Sequence, residues 1–487
     1  MVISLSCNKD VLEVQPVNAT EADYFKTEAE FNKAVVGIYA RLTALYNHNA
    51  GTHILPMYVL PGDDVTLTGT NAFEQFVTLT SSNGVSTLYF QQIYQLIGRA
   101  NIVLQKIAEE SGVYKTPGLK DTHKGEALFL RGWAFFSLWN YYGKAPIATE
   151  RAVTTDLLYP PESANDELLD QAITDLGEAA TSLPASWPAS LRGRVTANSA
   201  NGMLGKALVF RASWKKTTAD YTAAIAAFNK IAGASLVAKF DDNFAFDTEN
   251  NTESLFEFQA SQSGGDNIWL PNEFDGAIGT MTGYWGYFYE GNTRSNNNIN
   301  YLATDKLISA FEAGDPRLSL TYNPNSGTKK QFTKWSLRDQ TANNGNGSVN
   351  NARILRLGDV ILLKAEAVLK SGGSKAEAIG LINQIRTRAR NMAPGGTVPA
   401  DRNVSETNDA TIMGWIMTER FLELAGEGQR WFDLRRWHKA GYITLNNAFF
   451  DAANSAALSF DPAKHLVFPI PINEIDRNPN ITQNNGY

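Results

Sequence analysis

Four segments of this 487-residue chain carry the same seam, a small residue followed by partners four and then three positions on. They are Ala100, Leu104 and Ile107; Ala172, Leu176 and Ala179; Ala224, Phe228 and Ile231; and Ala378, Ile382 and Ile385. Steps of four and three fall on one face of a helix. One such seam means little, but each of these follows another apolar helical stretch. A small residue with larger ones at +4 and +7 suits the second helix of a tetratricopeptide-like hairpin. Such hairpins cannot bury their apolar faces alone, so they stack into a wall. The fold class expected is therefore mostly α, an array of four tetratricopeptide-like helical hairpins. Residues 355–370 and 374–391 show the unit well. Leu357, Ile361, Ala365 and Val368 form one stripe, and Ser374 with Glu377 caps the next helix.

The first two-fifths of the chain read as helices. Thr27 and Glu30 form a capping box ahead of Phe31, Ala34, Val35, Ile38 and Leu42. Residues 86–110 repeat the pattern. "EALFLRGWAFFSLWNYY" (126–142) is apolar nearly all round and is expected at the centre of the core; Gly143 stops it and Pro146 cannot continue it. Residues 47–83 are irregular and carry Asp63, Asp64, Asn71, Phe73 and Phe76. The third and fourth hairpins are separated by an insert, 233–353. It opens with a strand-like stretch, Glu253–Ser261. It then changes to a mixture of aromatics, Gly and Asn over 261–301, which should be loops, and an Asn/Gly/Thr-rich segment over 325–351, expected as a mobile loop. The organisation expected is 1–7 as a remnant of a lipoprotein signal, 8–232 as the N-terminal helical region, 233–353 as the insert, and 354–487 as a C-terminal region with the fourth hairpin.

Composition closes off several functions. Lys plus Arg is 43 against Asp plus Glu 50, a net charge of −7, which does not favour nucleic acid. Cys7 is the single cysteine, so no internal disulfide and no thiolate metal cluster can form. The five histidines show no metal-ligand spacing, and no phosphate-binding loop is present. "MVISLSC" looks like the end of a bacterial lipoprotein signal, with Cys7 where the lipid would be attached; the plainer reading is a free thiol near a frayed terminus.

"LAGEGQRWFDLRRW" (424–437) mixes arginines, carboxylates and large aromatics. Glu419 and Arg420 are expected to open a helix here, with Glu423, Glu427 and Arg430 on one face as ion pairs. The stretch holds no Ser, Cys or Thr, and its nearest histidine is His438, so a structural role is favoured over catalysis. In a longer frame, "ERFLELAGEGQRWFDLRRW" closely resembles the signature of the SusD/RagB family of Bacteroidetes outer-membrane lipoproteins. "GEALFLRGWAFFSLWNYYGKAPI", "RILRLGDVILLKAEAVLKSGG" and "FPIPINEIDRNPNITQNNGY" resemble its other motifs, in family order, and "SLSCNKD" resembles its lipoprotein start. The departures are small: Asn485 stands where the family often has Pro, and Gly426 and Gln429 where bulkier residues are common.

The resemblance implies a non-enzymatic protein on the outer face of the outer membrane, anchored through a lipid on Cys7. It implies capture of oligosaccharides for a SusC-like TonB-dependent transporter. The residues themselves nominate no cofactor and no metal ligands, which leaves calcium open. Family ligand sites join loops from the two irregular regions. A sugar offers an apolar face to aromatics and a rim of hydroxyls to amides and charged groups. Candidate platforms are Trp269, Tyr284, Trp285, Tyr287 and Tyr289, with Asn292 and Arg294 (and Asn267) for the rim, and Asn71 and Phe73 from the N-terminal segment. Phe288 alternates with its neighbours and is expected to face inward. Two alternatives stay open. One is a peptide-binding receptor of the same family. The other is a glycoside hydrolase using two of Glu273, Asp275 and Glu290, which would need carboxylates roughly 5–10 Å apart.

Overall fold

The computed structural model describes residues 24–46, 54–67, 69–164, 166–260, 301–323, 330–335, 343–344, 347–451 and 458–487. Its frame is four helical hairpins: α1 (Glu28–Tyr39) with α2 (Gly84–Glu109), α3 (Leu119–Tyr142) with α4 (Glu167–Ser182), α5 (Ala197–Lys215) with α6 (Thr218–Phe228), and α7 (Leu357–Lys370) with α8 (Lys375–Asn391). In each, the second helix carries the seam read from the sequence, and Ala100, Ala172, Ala224 and Ala378 are all fully buried. A methyl side chain at these positions lets the paired helix come close, while the larger residues at +4 fill the groove beside it. One seam is shorter than expected. Helix α6 ends at Phe228, so Ile231 lies beyond it and is only half-buried.

The hairpins are locked by close approaches and polar ties. Every residue of α3 from Gly125 to Tyr142 is buried, as its apolar surround predicts. Within that run, Gly132 faces α4 so closely that a Cβ would sit 2.9 Å from Leu176 Cγ and 3.1 Å from the Ala172 carbonyl oxygen. Arg131 grips Asp175 of α4 through Nε at 2.7 Å and Nη2 at 2.8 Å. The Thr27 cap forms as read: Thr27 N donates to Glu30 Oε2 at 2.9 Å and Glu30 N donates to Thr27 Oγ1 at 3.3 Å. Gly143 ends α3 at a φ of +72°. Helices α9 (Asp409–Glu423) and α10 (Arg430–Ala440) complete the frame.

The irregular regions contribute short strands. β1 (Val65–Leu67) pairs antiparallel with β3 (Tyr301–Ala303), and β2 (Ser254–Phe258) with β6 (Ala352–Arg356) across a bulged register. Both ends of the insert are thus tied down: β2 and β6 join its flanks, and Ala260 N donates to Asn351 Oδ1 at 2.7 Å. The stretch read as strand-like does form β2, but Leu255 to Phe258 are all buried, so it has two covered faces. The expectation of a loop throughout 325–351 needs correction where residues are described. β4 (Asn343–Asn344) pairs with β5 (Gly347–Ser348), and Asn350 and Asn351 are fully buried.

The 424–437 stretch also departs from expectation. Glu419 and Arg420 sit in the last turn of α9, not its first, and α9 and α10 are separate helices. Gly426 and Gly428 have φ of +70° and +73°, which breaks the helix between them. Steps of four and three therefore do not bring Glu423, Glu427 and Arg430 onto one face, and each finds a distant partner instead.

Candidate functional site

The two irregular regions that the sequence nominates meet at the β1–β3 pair. Val65 faces Ala303 and Leu67 faces Tyr301, the first residue after the 261–300 connection. The junction is built from polar caps. Thr304 Oγ1 donates to the Asp63 carbonyl at 2.7 Å, and accepts Leu307 N at 3.1 Å. Glu74 Oε1 accepts Thr66 Oγ1 at 2.5 Å and Leu67 N at 3.3 Å. Buried Asp63 binds Lys306 Nζ at 2.6 Å, from the β3 side, and Arg430 Nε at 2.5 Å, from α10. Burial alone would raise the Asp63 carboxyl, but Arg430 and Lys306 hold it below its usual value. Its neighbour Asp64 has no salt-bridge partner among the described residues. Burial pushes its carboxyl up to about 6, although Gly426 N donates to Oδ2 at 2.8 Å.

Of the residues nominated to meet a ligand, only Asn71 and Phe73 are described. Asn71 Oδ1 caps a short helix, Ala72–Gln75, by accepting Phe73 N at 2.9 Å. Phe73 is a correction. It is 1% exposed and packs on Phe468 with ring centroids 5.4 Å apart, so it offers no open face for a sugar. Its role is to seat the 71–76 turn on the core, next to Phe76 and Trp431 (5.8 Å between centroids). Trp269, Tyr284, Trp285, Tyr287, Phe288, Tyr289, Asn267, Asn292 and Arg294 lie outside the described residues, as do Cys7 and the carboxylates Glu273, Asp275 and Glu290.

The signature stretch organises what lies beneath. Glu423, fully buried, accepts Arg356 Nη1 at 2.7 Å, Arg388 Nη2 at 2.5 Å and Arg317 Nη1 at 3.1 Å. Glu427 takes Arg356 Nε at 2.7 Å and Lys334 Nζ at 2.6 Å. Burial by itself would raise Glu423, but Arg388, Arg356 and Arg317 hold it well below the usual carboxylate range. A second chain of charges crosses four helices. Lys206 of α5 meets Asp359 of α7 at 2.7 Å, Asp359 meets Arg420 of α9 at 2.8 Å, and Arg420 meets Asp433 of α10 at 2.7 Å. Arg436 closes it on Glu366 and Asp433. The structural reading rests on these buried pairs, in which Arg356, Arg420 and Arg436 each meet two or more carboxylates. A nucleophile or an open acid, which catalysis needs, is not among these residues.

Asp63 and Asp64 are not among the candidate ligand residues of the sequence analysis, and Gly426 and Gln429 appear there only as small departures from the family signature. Asp63 and Asp64 flank the site. A Cβ on Gly426 would overlap the Phe332 ring, and Gln429 Oε1 accepts Lys206 Nζ at 2.6 Å. Two adjacent aspartates inside an apolar run were the available signal, since such a pair is seldom buried without partners.

Comparison with known proteins agrees with this architecture. Residues 215–487 match the model of the SusD family, and residues 10–209 match a second family described as starch-binding, associating with the outer membrane. The SusD-like protein P38 of Formosa agariphila is 24% identical over 531 residues, covering 99% of this chain and 96% of that protein. Among solved structures, a SusD homolog from Bacteroides thetaiotaomicron superposes with a TM-score of 0.78 at 20% identity, over 96% of this chain and 99% of that one. Surface glycan-binding protein A from the same organism, in complex with laminarihexaose, gives 0.74 at 19% identity, over 94% and 100%. With a single family model spanning more than half its length, the chain belongs to the SusD family.

Proposed function

We propose that this chain is a cell-surface glycan-binding lipoprotein that captures oligosaccharides and passes them, unaltered, to a SusC-like TonB-dependent transporter. Membership of the SusD family carries the reading. It is supported by a structural relative that holds laminarihexaose, and by the outer-membrane association in the description of the second matching family. The β1–β3 pair supports the location, because it ties the ends of two irregular segments to a fixed frame. Trp269, Tyr284, Trp285, Tyr287 and Tyr289 would cover sugar faces, and Asn71, Asn292 and Arg294 would meet hydroxyls. Cys7 would carry the lipid that places the protein at the membrane surface.

The test is native affinity electrophoresis of the chain without residues 1–7, through gels containing a panel of polysaccharides. One glycan should retard the protein, with no release of reducing ends. Trp269→Ala or Trp285→Ala should abolish the retardation while leaving the unfolding midpoint unchanged. Retardation that survives both substitutions would move the site out of the insert. Binding of a peptide pool with none of any glycan would replace the ligand class.

A further inference from the structure

Arg435 is unlike the other arginines of the signature. Arg430 meets Asp63, and Arg436 meets Glu366 and Asp433. Arg435 is 1% exposed, and Nε, Nη1 and Nη2 all lack a hydrogen-bond partner. Its guanidinium carbon lies 4.5 Å from the ring centroids of both Trp139 and Trp214. The two rings stand edge to face, with centroids 5.0 Å apart, so both answer the charge from one side of the guanidinium. They do nothing for its N–H groups, which point outward within that plane, and a buried donor set left unpaired is costly. Burial lowers Arg435 to about 9, against a weak counter-pull from Asp166. Asp166 is itself engaged by Trp139 Nε1 at 3.2 Å.

This side chain lines a cleft of about 700 Å³ between the ends of α3, α5 and α10 and the C-terminal segment. The cleft is cationic. Lys144, Lys215 and Lys439 line it with Arg435, and Asp166 is the one carboxylate among its described lining residues. Lys144 and Lys215 are balanced by Glu162 and Asp170, at 3.0 and 3.1 Å. Lys439 sits 5.3 Å from the Trp214 ring centroid and has no carboxylate partner among the described residues. Trp214, half-buried, forms one wall. No lining residue comes from the β1–β3 junction.

We propose that this cleft is an oxyanion site, separate from the β1–β3 junction, in which one carboxylate, sulfate or phosphate group displaces Trp214 slightly and is gripped by the in-plane fork of Arg435, with Lys439 beside it. A planar guanidinium presents paired donors at the spacing of such groups. The occupant supplies the acceptors that Arg435 lacks, and Lys439 supplies the second charge. The proposal does not depend on the identity of the glycan.

The experiment is isothermal titration calorimetry of the chain with sodium sulfate, sodium phosphate and sodium glucuronate, at constant ionic strength, with glucose as the uncharged control. At least one anion should bind saturably at a single site, and the three arms say which group the cleft prefers. Arg435→Met keeps the stem packed on the tryptophans and strands no carboxylate, and should weaken binding at least tenfold. Arg435→Lys keeps the charge without the fork and should do nearly the same, so the test stands if the Met variant fails to fold. Lys439→Gln should cost about threefold. No saturable binding of any of the three anions, or equal affinity in wild type and both Arg435 variants, overturns the proposal.

Discussion

Replacing Glu423 with Gln tests whether the signature holds the fold through its buried charges. The carboxylate is fully buried and receives Arg317, Arg356 and Arg388. Glutamine keeps the shape but removes the charge and turns an amide N–H toward one of three guanidiniums. Breaking a buried pair leaves an uncompensated charge, at a cost of about 3–5 kcal/mol. Unfolding entropy near 60 °C is about 2.1 cal/mol/K per residue, which for a chain of this length is about 1 kcal/mol/K. Tm should therefore fall by about 3–5 °C, read by circular dichroism at neutral pH. The pH dependence gives a second check. Glu423 is held below its unfolded value, so its stabilisation is present above about pH 4 and is lost as pH falls through the folded value. The gap between wild type and Glu423→Gln should narrow below pH 4. Adding Arg388→Met to the variant should recover part of the loss, a coupling of about 1–3 kcal/mol in a double-mutant cycle. A Tm within 1 °C of wild type at pH 7 would refute the reasoning, because it would mean that the arginines compensate each other without the carboxylate.

Two other substitutions probe the frame and the junction. Gly205→Ala places a methyl into the Phe228 ring, between the two helices of the third hairpin, and should cost about 1–3 kcal/mol in urea unfolding; a neutral effect would show that this helix pair can part freely. Asp64, raised to about 6, favours folding when protonated, so its contribution is full below about pH 4 and is lost as pH rises through 6. Asp64→Asn should gain about 1–3 kcal/mol relative to wild type at pH 8 compared with pH 4, and an equal difference at the two pH values would show that Asp64 titrates normally.

The helical array was legible because its information is local. A seam at steps of four and three, the Thr27 box and the stop at Gly143 each lie within a few residues, and all appear as read except the last step of the third seam, Ile231. What the sequence concealed is long-range. Arg430 finds Asp63 367 residues away in the chain, and Glu423 finds Arg356 67 residues away. Helical spacing suggested nearer partners, and would have supplied them had Gly426 and Gly428 not adopted left-handed backbone. Phe73 illustrates a different limit. An aromatic in a polar loop suits a sugar platform and a loop anchor equally, and only its packing on Phe468 decides. The sequence nominates a pair of irregular regions, and the structure brings their ends together at β1 and β3.

The placement of charge explains why a binding protein would carry so elaborate a buried network. Ion pairs taken out of water contribute little net stability compared with apolar packing, because desolvation offsets their attraction. Their geometry, however, is selective: a guanidinium met by two carboxylates accepts few alternative positions. Arg356 sits at the end of β6, where the insert returns to the frame, and binds Glu253, Glu423 and Glu427 together. Arg430 and Lys306 converge on Asp63 from α10 and from the far side of β3. Each pairing fixes a point where an irregular segment leaves or rejoins the helices. Loops that must recognise a ligand gain from varying in sequence, and they can vary freely only if their ends are placed by residues outside them. The signature, read this way, fixes the points where the irregular segments leave and rejoin the helical frame.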